Sequence, residues 1–255
     1  MLNFQKMEIN WVISSNDIER VRRFVDEMDN PFVTGRISRN VKREGVVVDK
    51  NSILKCMIMC LVTSQQRSGP DTPVSRFFRL EPFPVTFENI SGDIDVGDFL
   101  RVTMQQNRLY RYINRISGFF AWNFRVLQDS DWSLIDVLKK RLDSKATKKD
   151  EREIADYIDD TFKGFGPKQS RNFLQSLGLT IYEIPIDSRI TNWLNDFGFP
   201  VNLSGAGLQD RAYYHFVSDG IQHLCDEASV YPCVLDAAIF SSYDSGGWNA
   251  ENVVY

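Results

Sequence analysis

The stretch Tyr157-Ile158-Asp159-Asp160-Thr161-Phe162-Lys163-Gly164-Phe165-Gly166-Pro167-Lys168-Gln169-Ser170-Arg171-Asn172-Phe173-Leu174 decides how this chain is read. A helical pattern ends near Phe162, and two glycines one residue apart make a tight turn. Pro167 then stands where its fixed φ and missing N–H suit the first turn of a second helix. The spacing predicts a helix-hairpin-helix. Gly164 and Gly166 let backbone N–H groups approach an anion closely, with Phe165 between them. The next helix N-terminus adds its partial positive charge, so a DNA phosphate fits there without sequence readout. A plain αα-corner would use the same glycines, so the turn alone leaves both readings open.

Lys168 lies in the first turn of that second helix. A cation there opposes the helix dipole, which favours the neutral amine that a nucleophile or Schiff base requires. Nineteen residues on, Pro185-Ile186-Asp187-Ser188-Arg189 places a carboxylate at the mouth of another helix. Asp187 suits either of two tasks: capping that helix, or steadying positive charge on a reacting sugar. Lys168 has its own plain alternative as a solvated lysine.

Outward from the hairpin, helical periodicity dominates. Ile18, Val21, Phe24 and Val25 follow the capping pattern Ser15-Asn16-Asp17, and Ile53 to Gln65 reads as a mostly buried helix. Further helices are expected at Val96–Gln106, Leu109–Phe119, Ala121–Gln128, Trp132–Asp143 and Asp150–Phe162, with a last helical region from Arg211 to Ser242 broken near Pro232. Phe78 to Asp98, with Pro82, Pro84 and Ser91-Gly92-Asp93, is expected to be an irregular insertion holding a short strand pair. The segment Gly178 to Pro185 could be extended.

The 255 residues are 25% charged and 43% hydrophobic, enough for one large or two small domains with an ordinary core. The longest apolar run, Cys56 to Val62, is far short of the roughly 20 residues of a membrane span. Residues 1–16 lack the blocks of a secretory signal, so the expected location is intracellular, cytoplasmic (nucleoid) or nuclear. Four cysteines are too few for a disulfide scaffold, and Cys56 and Cys60 read as core thiols. The net charge of −4 conceals an asymmetry. Residues 101–171 carry fifteen Lys and Arg against ten Asp and Glu, whereas residues 172–255 carry two against ten. A polyanion would meet the middle of the chain and avoid its acidic end. The cluster from Lys139 to Lys149 could equally be a solvated face.

Gly-Phe-Gly-Pro-Lys, the following helix to Gly178 and Pro-Ile-Asp at this separation resemble the helix-hairpin-helix DNA glycosylases with a catalytic lysine. Within them the chain is most similar to type-2 8-oxoguanine DNA glycosylase/AP lyases. The core of the likeness covers Thr161 to Trp193. Leu61-Val62-Thr63-Ser64-Gln65-Gln66 resembles the end of an early helix whose glutamine enters the duplex gap. Tyr231 to Phe240 resembles terminal helices where an aromatic lines the base pocket. The resemblance implies an all-α fold of two helical domains, residues 46–188 and residues 1–45 plus 189–255, with the cleft between them.

It also implies Lys168 as the Schiff-base lysine and Asp187 as the catalytic aspartate. Gly164, Phe165, Gly166, Gln65 and Gln66 would contact DNA, and Asn172, Phe173, Phe240 and Trp248 would form the base pocket. The expected partner is double-stranded DNA containing a modified base, 8-oxoguanine first, met by a monomer. No organic cofactor is required and no metal ligand set is expected; a monovalent cation at the hairpin carbonyls is compatible. The chain departs from the family in Ser188-Arg189, where many relatives place a histidine, and in Asn252-Val253-Val254-Tyr255, which has no terminal lysine. Cys225 and Cys233 cannot supply the four thiolates of an iron–sulfur cluster. These departures bear on the substrate, and leave open excision of another modified base, including one in foreign DNA. A non-catalytic DNA-binding module is the remaining alternative.

Overall fold

The computed structural model describes residues 10–64, 66, 68–143, 145–244 and 247–249, and among them every regular element is helical. The order is α1 (Ser15–Glu27), α2 (Pro31–Arg36), α3 (Lys50–Thr63), α4 (Pro73–Phe78), α5 (Phe87–Ile90), α6 (Val96–Gln106), α7 (Ile113–Asp129), α8 (Leu134–Arg141), α9 (Lys148–Thr161), α10 (Pro167–Ser176), α11 (Ser188–Phe197), α12 (Arg211–Ala228) and α13 (Pro232–Ser242). The fold is all-α, as the periodicity predicts.

Local chemistry sets the boundaries. Ser14 caps α1 and forms a reciprocal box with Asp17, one residue earlier than the expected start. Thr147 and Asp150 do the same for α9. The pattern over residues 109–128 predicts two helices, but α7 runs unbroken from Ile113, because the buried stripe Ile116, Phe120, Phe124 and Leu127 continues past Gly118, which sits on the exposed side. The expected strand pair between Phe78 and Asp98 is not formed. Thr86 caps the single turn α5 there, and Asn51 accepts the Phe87 N–H at 2.6 Å, so side chains satisfy the backbone groups that a strand would pair. After α2 the chain continues through one π turn, Ile37–Val41, which the sequence pattern does not announce.

The buried apolar residues gather into two clusters. One draws on residues 48 to 179 and includes most of α3 between Ile53 and Val62. The other combines Val21, Phe32 and Val33 with residues 184 to 248. The connection from Gly178 to Asp187 passes between them and is not a strand. The fully buried Glu151 accepts the N–H groups of Ile181, Tyr182 and Glu183, each at 2.8 Å. Asn40, in the π turn, donates to the carbonyls of Gln175 and Thr180 at 2.9 Å. Buried Arg171 bonds Glu183 at 2.9 Å and Asp156 at 2.8 Å, and Arg152 joins Glu183 to Asp219. The connection is fixed by charge and hydrogen bonds from both sides, and it delivers Asp187.

All four cysteines are buried and free. No helix among the described residues is long and apolar enough to cross a membrane.

Candidate active site

The hairpin is built where α9 stops. Gly164 has φ +82°, and a Cβ on it would stand 2.4 Å from the Phe119 ring and 2.8 Å from Leu61. Only glycine fits there. Asn123 of α7 clamps the turn: its Nδ2 donates to the Lys163 carbonyl at 3.0 Å and its Oδ1 accepts the Lys163 N–H at 2.8 Å. Gly166 differs. Its φ of −144° is open to any residue, and a Cβ would meet nothing within 4 Å. Its bareness leaves an open approach to the N-terminus of α10.

Phe165, expected on the DNA surface, packs its ring against Phe162 and Phe173 and is half-buried. Phe173 is expected in the base pocket, yet it is fully buried in the first cluster. The reason is helical geometry, since at 3.6 residues per turn Phe173 is rotated about 100° from Asn172 and about 140° from Lys168 around α10.

Lys168 and Asn172, one turn apart, point into an inner cavity of about 100 Å³. Its apolar walls include Phe32, Phe78, Phe240 and Trp248. Phe32 stacks on Phe240 at 4.9 Å and meets Trp248 at 4.7 Å. Phe240 and Trp248 thus line the same cavity as Lys168. Asn172 Nδ2 is 3.3 Å from Gln169 Oε1 and 3.5 Å from Cys60 Sγ.

Lys168 also lines an outer cleft of about 740 Å³, together with Asp187, Arg189 and Gln66. Asp187 caps α11: its Oδ1 accepts from the N–H groups of Arg189 and Ile190, at 2.8 and 3.1 Å. Its other oxygen accepts from the Arg189 guanidinium at 3.4 Å, and that guanidinium lies 4.1 Å over the Phe240 ring. The two tasks foreseen for Asp187 are therefore compatible, because the cap occupies one oxygen. Gln66 is half-buried at the cleft edge and donates to the Val62 carbonyl at 3.3 Å. Gln65 and Asn252–Tyr255 lie outside the described residues.

The floor of the inner cavity holds polar groups that the sequence reading does not single out. Gln175 Nε2 donates to Asp236 Oδ2 at 2.7 Å, and the Arg36 guanidinium is 3.8 Å from the same oxygen. Burial pushes the Asp236 carboxyl up to about 6, against the pull of Arg36. Gln175 Oε1, Arg36 Nε and Trp248 Nε1 are buried without a hydrogen-bond partner among the described residues. Three orphaned polar atoms around one cavity mark a place where a polar ligand would satisfy them. Sequence offers a signal for two of these residues. Gln175 is seven residues after Lys168, on the same face of α10, and Asp236 is a lone charge in the apolar run Pro232–Phe240. Arg36 carries none, being far away in the chain.

The basic cluster near residue 145 is a solvated face, part of it neutralised. Arg141 pairs with Glu153, and Lys148 with Asp226. No group of His, Cys, Asp and Glu suited to a metal ion occurs among the described residues.

No protein-family model matches the sequence, and no curated protein does so. Solved structures do match. The 8-oxoguanine DNA glycosylase of Methanocaldococcus jannaschii superposes with a TM-score of 0.60 at 15% identity, covering 89% of this chain and 94% of that one. The 8-oxoguanine DNA glycosylase of Thermotoga maritima gives 0.61 at 15% identity, covering 88% and 94%. The M. jannaschii 8-oxoguanine glycosylase/lyase in complex with a 15mer DNA containing 8-oxoguanine gives 0.65 at 14% identity, covering 90% and 100%. The chain has the all-α fold of these 8-oxoguanine DNA glycosylases.

Proposed function

We propose that this protein is a bifunctional DNA glycosylase/AP lyase acting on a modified base in duplex DNA, through a Schiff base on Lys168. The observation that carries the reading is the position of Lys168 at the junction of two spaces: an aromatic-walled inner cavity suited to a base, and an open outer cleft that holds Asp187. A nucleotide rotated out of the stack would put its base inside and its sugar beside both residues. The Lys168 amine attacks C1′ and the base departs with the glycosidic electron pair. Asp187 steadies the positive charge developing on the sugar. The C1′ adduct opens to an imine, loss of a proton from C2′ then expels the 3′ phosphate, and the strand is cut. A monovalent cation at the hairpin would use carbonyl lone pairs, and no step depends on it.

The first substrate on this reading is 8-oxoguanine. An ionised Asp236 accepts hydrogen bonds, which suits the adjacent N1–H and N2–H groups of a guanine-type edge. Trp248 Nε1 and Arg36 Nε are donors for its carbonyl oxygens. Adenine and cytosine present a ring acceptor to that carboxylate instead. The M. jannaschii glycosylase/lyase, solved with DNA containing 8-oxoguanine, supports the choice at the level of the fold.

The test is single-turnover cleavage of matched duplexes containing 8-oxoguanine, uracil, an alkylated purine or a bulky modified pyrimidine, with and without borohydride. The expected result is release of 8-oxoguanine fastest, with a borohydride-trapped adduct. Faster release of another base overturns the substrate; no adduct on any duplex overturns the chemistry and leaves a DNA-binding module.

A further inference from the structure

We propose that the exposed face of α7, with the turn before it, is a second DNA-binding track that carries the duplex arm beyond the hairpin. This rests on the reading of DNA as the partner.

The turn Asn107–Tyr112 is built to hold side chains outward. Arg108, with φ of 60°, is the left-handed residue that closes α6, where the Leu109 N–H reaches the Met104 carbonyl at 2.9 Å, and Tyr112, with φ of 54°, stands at the head of α7. Leu109 is buried as an anchor, while Tyr110 is 63% and Tyr112 46% exposed. Along the helix, cations and rings alternate. The Arg111 guanidinium lies 5.3 Å from the Tyr112 ring, Arg115 lies 5.1 Å from Phe119, and Lys163 Nζ lies 3.2 Å from Trp122. Each ring holds a cation in place at the surface and leaves its charge uncompensated. No carboxylate among the described residues neutralises Arg108, Arg111, Arg115 or Lys163, in contrast to Arg141, Lys148 and Arg211.

The track is continuous with the hairpin. Phe119 fills the space that Gly164 leaves open, and Asn123 clamps Lys163. From Ile113 to Trp122 the helix advances roughly 14 Å, the axial extent of about four base pairs. A polyanion of regular charge spacing fits this row. An apolar partner does not, because Arg108, Arg111, Arg115 and Lys163 are set among the rings of this row.

The experiment measures affinity for a duplex carrying a tetrahydrofuran abasic-site analogue across a salt series. It compares the wild type, the triple variant R108Q/R111Q/R115Q and the charge-matched control K139Q/K140Q/K145Q. Removing three phosphate-binding cations should flatten the slope of log affinity against log salt by about 2 to 3 in the α7 variant only, with affinity down about tenfold or more at low salt. A slope and affinity equal to those of the control overturn the track while leaving the glycosylase reading intact. A wild type that binds no DNA overturns both.

Discussion

The Gln175 amide donates to Asp236 Oδ2 at 2.7 Å, joining α10, which carries Lys168, to α13, which carries Phe240. Because the carboxyl of Asp236 is raised by burial to about 6, its state changes within the working pH range. As a reader of N–H donors it must be ionised, so release of a guanine-type base should rise as pH increases through about 6. Asp236→Asn should slow release and remove that rise. The stability sign is the opposite. A carboxyl whose folded pKa is raised holds its proton more tightly when folded, so stability falls as pH rises from about 4 to 6, and Asn removes this slope. Thermal melts and single-turnover rates at several pH values test both.

Lys168→Gln should abolish borohydride trapping while leaving affinity for an abasic-analogue duplex within a few-fold, since the side chain stands at the neck of the cavity and carries none of the fold. Gel analysis after reduction reads the outcome, and undiminished trapping would falsify the assignment.

Asp187→Asn keeps an oxygen to accept the Arg189 and Ile190 N–H groups and loses the charge. Base release should fall roughly 10²- to 10³-fold, with stability changed by about 1 kcal/mol or less. Normal release together with a much lower melting temperature would make Asp187 a structural cap.

The two hairpin glycines should respond differently. Gly164→Ala puts a Cβ against Phe119 and Leu61 in a left-handed backbone, and should cost about 2–4 kcal/mol. Gly166→Ala should leave the melting temperature nearly unchanged and weaken DNA binding, because the new methyl stands in the open approach to α10. Equal destabilisation by both would show that the turn is only a packing corner.

Arg171→Met should destabilise the fold by about 3–5 kcal/mol by leaving buried Glu183 short of its partner. Denaturant unfolding measures this. A near-neutral change would show that Arg152, Ser218 and Gln222, which also reach Glu183, suffice.

The sequence by itself determined what local spacing controls: an all-α chain, a hairpin at Gly164 to Pro167, Lys168 on the first turn of α10, and Asp187 at the head of α11. These follow from φ preferences, capping and period, which act over a few residues. Only the tertiary structure decided which face of α10 meets the cavity, turning Phe173 inward and Gln175 toward Asp236. It also brought Phe32 and Arg36, from a helix near the N-terminus, against Phe240 and Asp236 from one near the C-terminus. Such contacts depend on how two apolar clusters dock across a buried polar connection, and long-range packing leaves no periodic mark on the residues that take part.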